Sequence, residues 1–191
     1  MIPFILASSS PRRKQLLEQM RVSFETLVSD VEEELARPLP PDELVLELAS
    51  QKATAVLNKR PDSIVLGADT IVSYEQEVLG KPRNKKEAIQ MLKLLSGQSH
   101  DVFTGVSIRS KHKQITFFQK TTVTFYPLTD DEIENYVKSG EPFDKAGSYA
   151  IQGLGAYFVK EIRGDYFTIV GLPVAKTIRA LAEFQVYPKQ H

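Results

Sequence analysis

Residues Phe4 to Lys14 read as a buried strand that turns at once into a helix. Phe4-Ile5-Leu6 is apolar throughout, as a short strand covered on both faces must be. Three serines follow, then Pro11: Ser10 suits an N-cap, and Pro11 suits the first helical position, where its missing N–H costs nothing. Arg12, Arg13 and Lys14 fall in the first helical turn, ahead of the amphipathic run Gln15 to Met20. A helix dipole ordinarily favours acids at that end. Cations there, beside backbone N–H groups and serine hydroxyls, make sense around an anion, so the turn is read as a phosphate site. The plain alternative is a capped surface helix with solvated charges.

Strands and helices interleave along the rest of the chain, which gives an α/β class with a mixed sheet. Phe24 to Val28 alternates as a second strand. Ser29-Asp30-Val31-Glu32-Glu33-Glu34 is acidic: taken alone it is a solvated loop, or else a site for Mg²⁺ or Mn²⁺. After the breaker Leu39-Pro40-Pro41-Asp42, apolar residues at 44, 45, 48, 49, 53, 56 and 57 have helical spacing. Lys52 lies in this helix and gains interest only if its face meets the serine-rich turn. Ile64-Val65-Leu66 reads as a central strand interrupted by Gly67-Ala68-Asp69-Thr70. An acid there is expensive to bury unpaired, and the small residues beside it permit close approach of a ligand or of backbone.

Glu75-Gln76-Glu77 reads as a hairpin tip. Gly80-Lys81 fails as a P-loop, because Glu75 and Pro82 stand where Gly and Ser or Thr are needed. Lys81 can still reach a phosphate. Asn84 with Glu87, and Thr129 with Glu132, resemble capping boxes that open helices ending near Gly97 and Gly140. His100 to Arg109 alternates as a strand, and Ile115 to Tyr126 supplies one or two more. The loop from Glu141 to Gly155 has three glycines in its last nine residues but no dinucleotide fingerprint; it suits recognition of a planar polar ligand, or is an ordinary surface loop. Ala156 to Ile162 and Tyr166 to Val170 read as strands around Arg163-Gly164-Asp165. Leu172-Pro173 opens a last helix, Val174 to Phe184, and the tail after about residue 186 frays.

Composition excludes several function classes. There is no cysteine, so disulfides, thiolate metal sites and a cysteine nucleophile are absent. The three histidines, His100, His112 and His191, show no ligand spacing and make a Ser-His-Asp triad improbable. The 24 acids balance 24 bases, which argues against a non-specific nucleic-acid binder. No stretch approaches a membrane span or a signal sequence, so a cytoplasmic protein with no membrane partner is expected. At 191 residues, 42% of them hydrophobic, one domain over 1–191 is expected. What remains abundant is Ser, Arg and Lys near carboxylates, the equipment of phosphoryl or nucleotidyl chemistry.

Eight segments in order resemble one family: Ser8-x-Ser10-Pro11-Arg12-Arg13, Val31-Glu32-Glu33, Gln51-Lys52-Ala53, Gly67-Ala68-Asp69-Thr70, Leu79-Gly80-Lys81-Pro82, Leu95-Ser96-Gly97, Asp144-Lys145-Ala146-Gly147 and Ile151-Gln152-Gly153. Together they are similar to the Maf family of nucleoside triphosphate pyrophosphatases, from about Ile5 to Phe184. The resemblance implies a fold like that of the inosine triphosphate pyrophosphatases, a long twisted mixed sheet flanked by helices with a cleft between two lobes. It implies hydrolysis between the α and β phosphates, a divalent metal, Mg²⁺ or Mn²⁺, and often a homodimer.

Residue by residue, the resemblance makes Asp69 the proton acceptor or a metal ligand and Glu33 a metal-side acid. Ser8, Ser10, Arg13, Lys52 and Lys81 fall on the substrate phosphates. Arg12, Thr70 and Gln152 match the pyrimidine-acting branch, so dTTP and UTP, or modified pyrimidine nucleotides, are the expected substrates. A side-chain amide such as Gln152 both donates and accepts, which suits a uracil or thymine edge. The rival reading is a nucleotide-binding regulator of septum formation with little turnover.

Overall fold

The computed structural model describes residues 2–29 and 38–189. Seven strands form one mixed sheet: β1 (Phe4–Ala7), β2 (Glu25–Thr26), β3 (Ile64–Tyr74), β4 (Glu77–Leu79), β5 (Ser99–Arg109), β6 (Gln114–Phe125) and β7 (Val159–Arg163). Their order is β2-β1-β3-β5-β6-β7, with β4 paired to β3. β1 runs parallel to both β2 and β3, with Ala7 opposite Gly67, whereas the β3–β4 and β6–β7 pairs are antiparallel. Among the described residues six α-helices accompany the sheet: α1 (Pro11–Gln19), α2 (Pro41–Lys59), α3 (Lys85–Leu95), α4 (Asp130–Lys138), α5 (Tyr166–Val170) and α6 (Val174–Ala182).

The chain divides into two units, and β3, β5 and β6 each contribute residues to both. The first comprises residues 1–69, 104–119 and 171–191. In it β1 is buried at every position, and Ile5 and Ala7 pack with Val65 against Ala53 and Val56 of α2. Pro41 begins α2, Asp42 and Glu43 lie in its first turn and Lys59 in its last, each on the side that the helix dipole favours. Gly67 and Gly105 let α2 lie close to β3 and β5: a Cβ on Gly67 would stand 2.7 Å from the Ala53 nitrogen, and one on Gly105 would stand 3.0 Å from the Leu46 nitrogen. The close approach foreseen beside Asp69 is therefore backbone on backbone.

The second unit comprises residues 70–103 and 120–170. Its core gathers Leu92 and Leu95 of α3, Ile133 and Tyr136 of α4, and Phe125 and Phe158. The Thr129–Glu132 capping box is complete, each side chain bonding the other's backbone N–H. At α3 only half of the box forms: Asn84 accepts from the Glu87 N–H, while the Glu87 carboxylate accepts from the Arg83 N–H at 2.7 Å.

Two expected strands differ. Tyr166–Val170 is helical, despite β-branched Thr168, Ile169 and Val170. Gly164, at φ 132°, breaks the preceding strand, and Asp165 then caps a helix. Its Oδ1 accepts from the Phe167 N–H at 3.3 Å, and its Oδ2 from the Thr168 N–H at 2.9 Å. Local capping outweighs a weak strand propensity. Likewise the strand expected over Ala156 to Ile162 begins only at Val159, as β7 (Val159–Arg163), because Leu154–Phe158 forms a 3₁₀ helix.

Candidate active site

The first unit gathers six of the residues singled out from sequence: Ser8, Ser10, Arg12, Arg13, Lys52 and Asp69. β1 ends at Ala7, opposite Gly67, so the serine turn leaves the sheet where β3 carries on to Asp69. Ligands of parallel α/β sheets bind beyond such carboxyl ends. Ser10 caps α1 through the Arg13 N–H at 3.5 Å. Buried Ser8 fixes the turn from within, its Oγ accepting from the Ser10 N–H at 3.1 Å and from Arg13 Nη1 at 3.3 Å. No acid lies in the first turn of α1.

Arg13 does not splay into solvent. Its Nε donates to the Gly171 carbonyl at 2.8 Å, which with Ser8 holds the guanidinium over the turn. Burial draws its pKa down from the ordinary arginine value; the Asp69 charge opposes this and Arg12 adds to it. An arginine stays protonated at neutral pH regardless. The site thus carries a desolvated, positioned cation of the kind that recognises phosphate oxygens in a planar fork.

Lys52 and Asp69 form an ion pair through Nζ and Oδ1, with side chains 19% and 13% exposed. The pair follows from packing. Gly67 and Asp69 lie on the same face of β3 by strand alternation, and Gly67 seats α2 on that face beside Ala53, the neighbour of Lys52. The sequence asked that the helix face of Lys52 meet the serine-rich turn; the contact that the structure shows for Lys52 is with Asp69 on β3.

The second unit holds Thr70, Lys81 and Gln152. Thr70 follows Asp69 on β3 and points to the opposite face. Lys81 and Gln152 are exposed. The Gly147 N–H donates to the Gly80 carbonyl at 3.1 Å, and Gly147, at φ 68°, rests against Val72. This ties the glycine-rich loop to the segment bearing Lys81. Glu33 lies outside the described residues. Among the described residues no group of three or more His, Asp or Glu side chains is placed to hold a metal ion.

Two contributors escaped the sequence reading. Gly171 supplies the carbonyl that holds Arg13 from 158 residues away, where the sequence marks only the helix start at the following Leu172-Pro173. Glu141 accepts two hydrogen bonds from the far end of the glycine-rich loop, at the Leu154 and Gly155 N–H groups, and a third from the Tyr136 hydroxyl of α4, where the sequence showed only a polar residue beside a proline.

A family model described as "Maf-like protein" matches residues 3–184. Proteins of Bacillus cereus and Bacillus anthracis named dTTP/UTP pyrophosphatase are each 56% identical to this chain over 182 residues, covering 95% of this chain and 95% of theirs. Among solved structures, a HAM1 protein from Coxiella burnetii matches with a TM-score of 0.48 and 17% identity, over 65% of this chain and 73% of that one.

Proposed function

Since this chain belongs to the Maf family, we propose that it hydrolyses dTTP and UTP between the α and β phosphates, releasing the nucleoside monophosphate and pyrophosphate. The observation that carries this reading is the Lys52–Asp69 pair in the electrostatic reach of a positioned Arg13. Cations fixed beside a carboxylate offset the repulsion between that carboxylate and a polyanion.

Arg13, with Ser8 and Ser10, holds phosphate oxygens at the α1 N-terminus, where backbone N–H groups add their own attraction. Lys52 orients the Asp69 carboxylate through Oδ1, and Oδ2 is proposed as the acceptor for the proton of the attacking water or, in place of that role, as a ligand of the metal ion. Lys81 adds a further cation for the phosphates. Arg12, Thr70 and Gln152 are assigned to base and sugar discrimination, Gln152 through its paired donor and acceptor.

We assign a hard divalent ion, Mg²⁺ or Mn²⁺, to this site. The described part of the site offers carboxylate and hydroxyl oxygens, and ions of this kind are completed by substrate phosphates and water. Asp69, together with Glu33, would hold it, and when bound it supplies neutralisation of phosphate charge. No described helix is long and apolar enough to cross a membrane. A homodimer and a cytoplasmic setting belong to the same reading.

The test is pyrophosphate release from all common NTPs and dNTPs and from 7-methyl-GTP, with Mg²⁺ and then Mn²⁺. Release from dTTP and UTP, with monophosphate as co-product, is expected. Preference for 7-methyl-GTP overturns the roles of Arg12, Thr70 and Gln152. Binding without product on every nucleotide overturns the enzyme in favour of a nucleotide-binding regulator.

A further inference from the structure

The turn that delivers the Gly171 carbonyl to Arg13 has little freedom of its own. Gly171 is buried, with φ 125°, a backbone conformation that a residue with a Cβ adopts only under strain. Leu172, the next residue, is fully buried. Pro173, with its ring-fixed φ, caps α6, and its carbonyl accepts from the Thr177 N–H at 2.9 Å. From this turn the Gly171 carbonyl takes Arg13 Nε at 2.8 Å, while Ser8 Oγ takes Nη1 at 3.3 Å. Two acceptors far apart in the sequence, both in the first unit, thus hold one planar group.

From this geometry we infer that Gly171 is a positioning residue for phosphate binding: its carbonyl occupies Nε of Arg13 and so turns the terminal Nη1–Nη2 edge to the substrate oxygens. The inference rests on the assignment of Arg13 to the phosphates. A guanidinium offers a bidentate anion two edges, a side edge that includes Nε and a terminal edge made of Nη1 and Nη2. An Nε already bonded to a backbone carbonyl closes the side edge. Holding the group before substrate arrives also raises affinity, because a long cationic side chain loses rotamer freedom when it is ordered. Gly171 and Ser8 impose that order in advance, so less of the phosphate interaction is offset by ordering Arg13 on binding.

The experiment measures kcat and KM for dTTP with Mg²⁺ in the wild-type protein and in Gly171→Ala, Arg13→Ala and the double variant, with melting temperatures alongside. Gly171→Ala forces the backbone out of its φ of 125° and swings the carbonyl away from Nε. KM for dTTP should rise about tenfold, with a smaller change in kcat, as expected when an interaction common to the ground and transition states is lost. Arg13→Ala should raise KM at least as far. Adding Gly171→Ala to it should raise KM no further, because no guanidinium remains to be turned. A role confined to folding would lower the melting temperature and act equally with and without Arg13.

KM unchanged in Gly171→Ala but raised in Arg13→Ala overturns the inference and leaves Arg13 on the phosphates. So does an additive double variant. KM unchanged in Arg13→Ala removes Arg13 from the phosphates, and the inference falls with it. Should Gly171→Ala not fold, an ester in place of the amide between Gly171 and Leu172 carries the test. It keeps both side chains and makes the Gly171 carbonyl a weaker acceptor. KM should then rise by a smaller factor, and an unchanged KM overturns the inference.

Discussion

Gly67 seats Ala53: with no side chain on Gly67, the α2 backbone comes within a distance that a Cβ would cut to 2.7 Å from the Ala53 nitrogen. That contact fixes where Lys52, one residue earlier, meets Asp69, two residues further along β3. Gly67→Ala therefore tests structure and chemistry together. Overpacking against backbone, which cannot rotate away, should destabilise the fold by about 2 kcal/mol. The displaced α2 should lower kcat by about tenfold or more, since small misplacements of a reactive group are costly. Gly80→Ala, where an added Cβ meets nothing within 4 Å, is the stability control and should shift the unfolding free energy by less than about 0.5 kcal/mol. Equal urea midpoints for the two variants would show that α2 does not depend on the missing side chain.

Asp69→Asn keeps size and removes both the charge opposite Lys52 and the proton acceptor. Turnover of dTTP should fall by at least ~100-fold, the lower end of general-base contributions. The loss should appear in kcat, with the melting temperature close to wild type, and steady-state kinetics beside thermal melting reads both. Turnover near wild type would remove Asp69 from the chemistry.

The features readable in the sequence were those whose cause is local. Ser10 and Thr129 cap their helices as their neighbours implied, because a cap is a contact across three residues. The apolar periodicity of α2 placed its buried face correctly, since period and burial share one cause. Tyr166–Val170 misled because its β-branched residues suggest strand while the deciding group, the Asp165 carboxylate, lies outside the segment. The Lys52–Asp69 pair, the Arg13–Gly171 bond and the Glu141 contacts were not legible, because each depends on how separate elements pack. A lysine on a helix carries no mark of the strand it will face.

Chelation separates a chemical ion from a structural one. The described core is apolar, and no described cluster of His, Asp or Glu holds it together in place of packing. Treatment with EDTA should abolish pyrophosphate release and leave the melting temperature of the nucleotide-free protein unchanged, with activity restored by Mg²⁺ or Mn²⁺. A clear drop in melting temperature on chelation would instead reveal an ion bound for folding.

His100 makes the stability of the second unit depend on pH. It is 3% exposed, packed edge-on to Phe125 and Tyr149, with Nε2 at 2.7 Å from the Tyr149 hydroxyl. Burial draws its pKa from 6.5 down to about 4, against a smaller opposing pull from Asp101. The imidazole is thus neutral when folded and free to take a proton when unfolded. Between about pH 4 and 6.5 the unfolded chain binds more protons, so this contribution is complete above pH 6.5 and is lost as the pH falls through that window. Acidification from pH 7 to pH 5 should cost about 2 kcal/mol through this residue. Urea unfolding of wild type and His100→Gln at both pH values measures it, because glutamine can accept from the Tyr149 hydroxyl and does not titrate. The variant should lose less stability than wild type on acidification by roughly that amount. Equal losses in the two proteins would place the acid sensitivity on other groups.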